Sequence, residues 1–115
     1  MRYLLAIIAL LLLLTACTTT QYLYYGDSSH SYYRAVKKQD TGSVDNYKKS
    51  LQNVFDRSAH LGLPVPPGLY CDYALIMMKE ERPDLAKEYF EKERSTWAES
   101  ETMVNFLMQR YGLKQ

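Results

Sequence analysis

The side chains of this 115-residue chain that could carry metal, nucleophilic or acid–base chemistry are few: two cysteines, two histidines and some closely spaced carboxylates. His30 and His60 form no H-E-x-x-H run and no cysteine–histidine spacing of the sort zinc requires, so no metal site is expected. The acidic pairs Glu80-Glu81 and Glu99 with Glu101 have the right type for an acid and a base. They fall on the polar faces and ends of the helices inferred below, where a solvated charged surface accounts for them. A glycine-rich phosphate loop and a G-x-S-x-G run are both absent. No catalytic residue is therefore assigned, and an enzyme is not expected. Cys17 and Cys71 remain.

Cys17 follows a basic start at Arg2, an unbroken apolar run from Leu4 to Leu14, and the small residues Thr15 and Ala16. That order is what a secretory signal peptide requires. The run is shorter than the roughly 20 apolar residues needed to cross a bilayer, so residues 1–16 are expected to be removed by cleavage between Ala16 and Cys17. The four residues Leu14-Thr15-Ala16-Cys17 resemble the lipobox of bacterial lipoproteins. The resemblance implies a diacylglycerol thioether and an amide-linked acyl chain such as palmitate on Cys17, with no other cofactor. A single chain binds a membrane marginally, whereas two or more hold a protein in place. Thr18 stands where an aspartate would favour inner-membrane retention, so the resemblance implies the periplasmic face of the outer membrane of a Gram-negative bacterium.

Cleavage leaves about a hundred residues, enough for one small domain. Loss of Arg2 leaves thirteen basic residues facing thirteen acidic ones, and this balance gives no electrostatic grip on nucleic acid. With Cys17 lipidated, Cys71 has no partner within the chain. It is read as a small buried residue on a helix, with intermolecular pairing or redox sensing as the alternative. Ten of the eleven tyrosines lie in the mature part, five of them between Tyr22 and Tyr33, and such amphipathic rings suit half-buried surfaces.

These residues need elements to position them. Residues 17–30 read as a lipidated tether, and 31–115 as the helical domain. A short helix over about 31–38 presents Tyr32, Tyr33 and Val36 and stops at the turn Asp40-Thr41-Gly42-Ser43. A second, about 44–60, carries Val44, Tyr47, Leu51, Val54, Phe55 and Ala59 as one apolar stripe. The run Leu63-Pro64-Val65-Pro66-Pro67-Gly68 forbids helix, because proline lacks the amide donor and restrains its predecessor. A third helix, about 69–81, turns Asp72, Lys79 and Glu80 away from its apolar side. A fourth opens at Pro83 and runs to about Trp97, with Glu88 and Lys92 paired on its polar side. A last helix begins with Ser100 as N-cap and ends at Gly112. With no alternating strand pattern anywhere, the expected fold is all-α, built of antiparallel hairpins.

Tyr70, Tyr73, Ala74, Met77, Ala86 and Phe90 occur at the spacing of a tetratricopeptide repeat, in which small residues let two helices approach and an aromatic ring fills the gap. Glu93 and Ala98 depart from that pattern, where a small residue and a proline are usual. The last helix would then cap the repeat. The stretches Pro66-Pro67-Gly68-Leu69-Tyr70-Cys71-Asp72-Tyr73, Ala86-Lys87-Glu88-Tyr89-Phe90-Glu91-Lys92-Glu93 and Thr96-Trp97-Ala98-Glu99-Ser100 resemble the DUF4810 family of small bacterial lipoproteins of unknown function. Members typically carry a glycine in the hairpin turn and a proline after the tryptophan, where this chain has Glu81-Arg82 and Ala98. The resemblance implies an envelope assembly that includes a curli-secretion-type (CsgG/HfaB-like) lipoprotein. Two functions follow as expectations: an anchored adaptor that docks another envelope protein on a tyrosine- and methionine-bearing surface, or a carrier of a small ligand or lipid in a pocket lined by the same tyrosines.

Overall fold

The computed structural model describes residues 1–14 and 22–114. Among these the secondary structure is entirely helical: α1 (Arg2–Leu14), α2 (Ser28–Lys38), α3 (Thr41–Leu61), α4 (Leu69–Lys79), α5 (Pro83–Thr96), a 3-10 turn (Ala98–Ser100) and α6 (Glu101–Arg110). No described helix is long and apolar enough to cross a membrane. α1 covers the apolar run near the N-terminus, and its Leu4, Leu5, Ile7 and Leu10 are exposed. The other helices pack mainly as neighbours in sequence, α2 against α3, α4 against α5, and α6 against the end of α5.

Small residues bring α2 and α3 together. Ser28, Ser31 and Ala35 are buried on α2, and the hydroxyls of Ser31 and Ser50 lie 2.6 Å apart across the hairpin. Tyr32, Tyr33 and Val36, the residues that periodicity groups on this helix, all face outward. The helix begins at Ser28, inside the stretch read as tether, and Tyr24 upstream donates to the Asn53 side chain 3.3 Å away on α3. The residues expected to form a turn before α3 are its cap and first turn: Asp40 is the N-cap, and its carboxylate accepts from the Ser43 amide at 2.6 Å. That bond, helped by the Ser43 hydroxyl, holds the Asp40 carboxyl below its usual pKa. The inward stripe of α3 runs Ser43, Tyr47, Leu51, Val54 and Ser58, while Ala59 is exposed.

The core proper lies where α4 and α5 meet. Leu51, Ala74, Met77, Ala86, Phe90, Val104 and Met108 have no exposed surface. Ala74 and Ala86 add no side chain beyond Cβ, so the backbones of α4 and α5 can approach while Met77 and Phe90 fill the space beside them. The proline-rich connector does more than space the hairpins. Val65 and Pro66 are buried, and the Trp97 indole nitrogen donates to the Val65 carbonyl at 2.8 Å.

Three helix ends share one geometry. After α3, α4 and α6 the chain closes with paired bonds, Leu63 to the Ser58 carbonyl, Arg82 to Met77 and Leu113 to Met108, each at 2.9 Å, and a residue at positive φ stands between. That residue is Gly62 at 66° and Gly112 at 67°, but Glu81 at 59°. Ser100 stands at the N-cap position of α6 as expected, but its hydroxyl makes no capping bond and donates to Glu93 instead.

Candidate functional site

A groove of about 510 Å³ runs between α2, the start of α3, and α4. Tyr32 and Val36 form its outer wall and are half exposed, at 50% and 51%. Leu75 and Ile76 of α4 form the opposite wall, and Lys79 marks one end. The floor is Tyr47, fixed from two sides. The Tyr32 ring stands edge-on to it with centroids 5.4 Å apart, and the Tyr47 hydroxyl donates to Asp72 Oδ2 at 2.5 Å. Burial, then the adjacent Asp72 carboxylate, push the Tyr47 hydroxyl far above its usual pKa, so it remains a donor at any physiological pH. Burial also raises the Asp72 carboxyl, an effect that the Tyr47 bond opposes.

Asp72 was expected to point away with Lys79 and Glu80. It lies instead partly buried at the groove, because the start of α4 turns toward Tyr47 rather than toward solvent. Only Lys79 and Glu80 fit that expectation, and Glu80 pairs with Lys48 of α3 at 2.7 Å. The sequence carried one usable hint, since Asp72 lies three residues after Leu69 and three and four before Leu75 and Ile76, and so shares a helix face with apolar residues.

A second aromatic group joins the hairpins on another face. Phe55 of α3 meets Tyr70, Tyr73 and Tyr89 at centroid distances of 4.9, 5.5 and 5.6 Å, and Tyr73 meets Tyr89 at 4.4 Å. Gln52 donates to the Tyr73 hydroxyl at 3.0 Å, and the Lys92 ammonium, paired with Glu88 at 2.7 Å, lies 4.3 Å above the Tyr89 ring. Of the six residues matched to the repeat pattern, Tyr73, Ala74, Met77, Ala86 and Phe90 are buried, and Tyr70 is half-buried in this aromatic group.

Glu93, which breaks that pattern, has no exposed surface. Its Oε1 accepts from the Gly68 amide and from the Ser100 hydroxyl, both at 2.8 Å, so one carboxylate ties the connector and the turn before α6 to the last turn of α5. Its Oε2 has no partner among the described residues. Cys71 is buried nearby, and burial first, then Glu93 and Asp72, push its thiol up to about 12. A thiol so placed stays protonated at neutral pH and is a poor nucleophile.

Ala16 and Cys17, the expected cleavage and lipidation positions, lie outside the described residues. His30 and His60 are exposed on different helices, and Glu81, Glu99 and Glu101 are exposed as well. Among the described residues no three His, Cys, Asp or Glu side chains gather as metal ligands. A family model, described as a domain of unknown function (DUF4810), matches residues 22–107. No curated protein and no solved structure matches the chain.

Proposed function

Because this chain belongs to the DUF4810 family, whose description assigns no activity, we propose its function from its own surface: a membrane-anchored adaptor that docks an envelope protein in the groove between α2 and α4. The observation that carries this reading is the outward face of α2. A helix that spends Ser28, Ser31 and Ala35 on its intramolecular contact leaves Tyr32, Tyr33 and Val36 half exposed beside an open groove, which is costly surface unless something covers it. Tyrosine suits such a surface, since its ring supplies contact area while its hydroxyl tolerates water.

The remaining parts of the reading rest on sequence: the anchor on the N-terminal residues, the partner on the family resemblance, and the stacking on the repeat spacing. Lipid on Cys17 would hold the domain on the periplasmic face of the outer membrane, within the reach of a short tether, and the partner would be a lipoprotein of the CsgG/HfaB-like kind. Tetratricopeptide-like stacking would make α2 and α4 the two inner helices of a short array, with the groove as its concave side.

The test is a photo-crosslinking amino acid placed at Tyr32 or Val36 in living cells, with the exposed Glu88 of α5 as the control position. The expected result is one envelope protein captured from both groove positions and not from Glu88, with recovery falling when Cys17→Ser frees the protein from the membrane. A small molecule carried through purification, with no protein captured from either position, would replace the adaptor by the ligand-carrier reading.

A further inference from the structure

Beside the groove lies a smaller cleft of about 190 Å³ that shares Tyr32, Tyr47 and Asp72 with it. Tyr25, from the segment leading into α2, forms the other side, and Leu69 at the start of α4 closes the bottom. Tyr25 and Tyr32 keep about half of their surface toward solvent, at 45% and 50%. Asp72 is thus a partly buried carboxylate placed between two aromatic-walled spaces.

Its charge is uncompensated. Among the described residues Asp72 forms no ion pair, and the groups that act on it are the Tyr47 hydroxyl and the Glu93 carboxylate, with no cation among them. An apolar occupant would strip water from this carboxylate and leave it unpaired, which is unfavourable. A cation would be drawn both by the carboxylate and by the faces of the tyrosine rings.

We propose that this cleft binds the protonated amine of a lysine side chain carried by the docked protein, with Asp72 as counter-ion and Tyr25 and Tyr32 as walls. Lysine is favoured over arginine because the Tyr47 hydroxyl already takes one acceptor position on Oδ2 and the cleft is small, which disfavours a planar guanidinium that must align with both oxygens, whereas a compact ammonium is satisfied by Oδ1 alone. The assignment rests on the adaptor reading and names the chemistry its partner must present.

The experiment uses the mature lipidated chain in detergent micelles with isotope-labelled tyrosine, and follows the ring signals by NMR. Three probes are titrated: an N-acetylated Ala-Lys-Ala amide, the same peptide with norleucine for lysine, and putrescine. The expected result is saturable movement of the Tyr25 and Tyr32 rings with the lysine peptide, at least tenfold weaker with norleucine and with putrescine. Asp72→Asn keeps an acceptor for Tyr47 and should weaken lysine binding at least tenfold. Should that variant lose its helical circular dichroism, Tyr32→Ala, at an exposed ring, replaces it with the same expected loss. Equal response to norleucine, or binding that survives these substitutions, overturns the amine site, and putrescine binding as tightly as the peptide overturns its assignment to a protein. A crosslinked partner together with a failed titration removes the amine site and leaves the adaptor standing. Lysine-specific titration without any crosslinked partner does the reverse.

Discussion

Glu93 is the residue whose chemistry is least like its neighbours. A carboxylate without contact to water would ordinarily be expelled from a helical core, yet here it accepts from Gly68 and Ser100 and so completes two donors that the fold buries with it. Glu93→Ala leaves both donors unpaired and opens a cavity, and should cost about 3 kcal/mol in urea unfolding. Glu93→Gln keeps an acceptor at the same place and should cost less than half as much. Equal losses for the two would mean that volume, rather than hydrogen bonding, explains the residue. Sequence pattern marked Glu93 as a departure from the repeat and could go no further, because the Gly68 amide and the Ser100 hydroxyl are 25 and 7 residues away along the chain.

Among the elements, helix ends show how far local sequence reaches. Gly62 and Gly112 sit at left-handed φ and are readable as stops, since glycine adopts that backbone without a Cβ clash. Glu81 takes the same place after α4 with a full side chain, at a steric cost that a glycine would remove. Glu81→Gly should raise stability by about 0.5–1 kcal/mol, the relief of strain being partly offset by the greater freedom of the unfolded chain. A thermal melt showing no rise, or a fall, would mean that the Glu81 side chain makes a compensating contribution. The facing of α2, which periodicity leaves open, has an equally physical cause. On a short helix, a tyrosine stripe and a serine–alanine stripe are both consistent with a 3.6-residue period. The partner helix chose the small side because it permits the close approach that brings Ser31 to Ser50.

At the scale of the molecule, the α2–α3 hairpin is held to the rest through Leu51 in the shared core and Phe55 with its ring neighbours, with Tyr47 to Asp72 and Lys48 to Glu80 beside them. Phe55→Ala removes the ring that touches Tyr70, Tyr73 and Tyr89 together, and should cost about 2–3 kcal/mol, less than for a fully buried phenylalanine. Hydrogen exchange in this variant should lose protection first in α2 and α3 while α4 and α5 remain protected; uniform loss would show that the two hairpins unfold as one unit. The sequence by itself determined the all-helical class, the helix positions from Leu69 onward to within a few residues, and the family, because apolar periodicity, prolines and short motifs are local signals read along one chain. The outward face of α2, the turn of Asp72 toward Tyr47, the burial of Glu93 and the groove itself were decided by tertiary structure. Each depends on which face of one helix meets another, and that choice is made by packing between residues far apart in sequence.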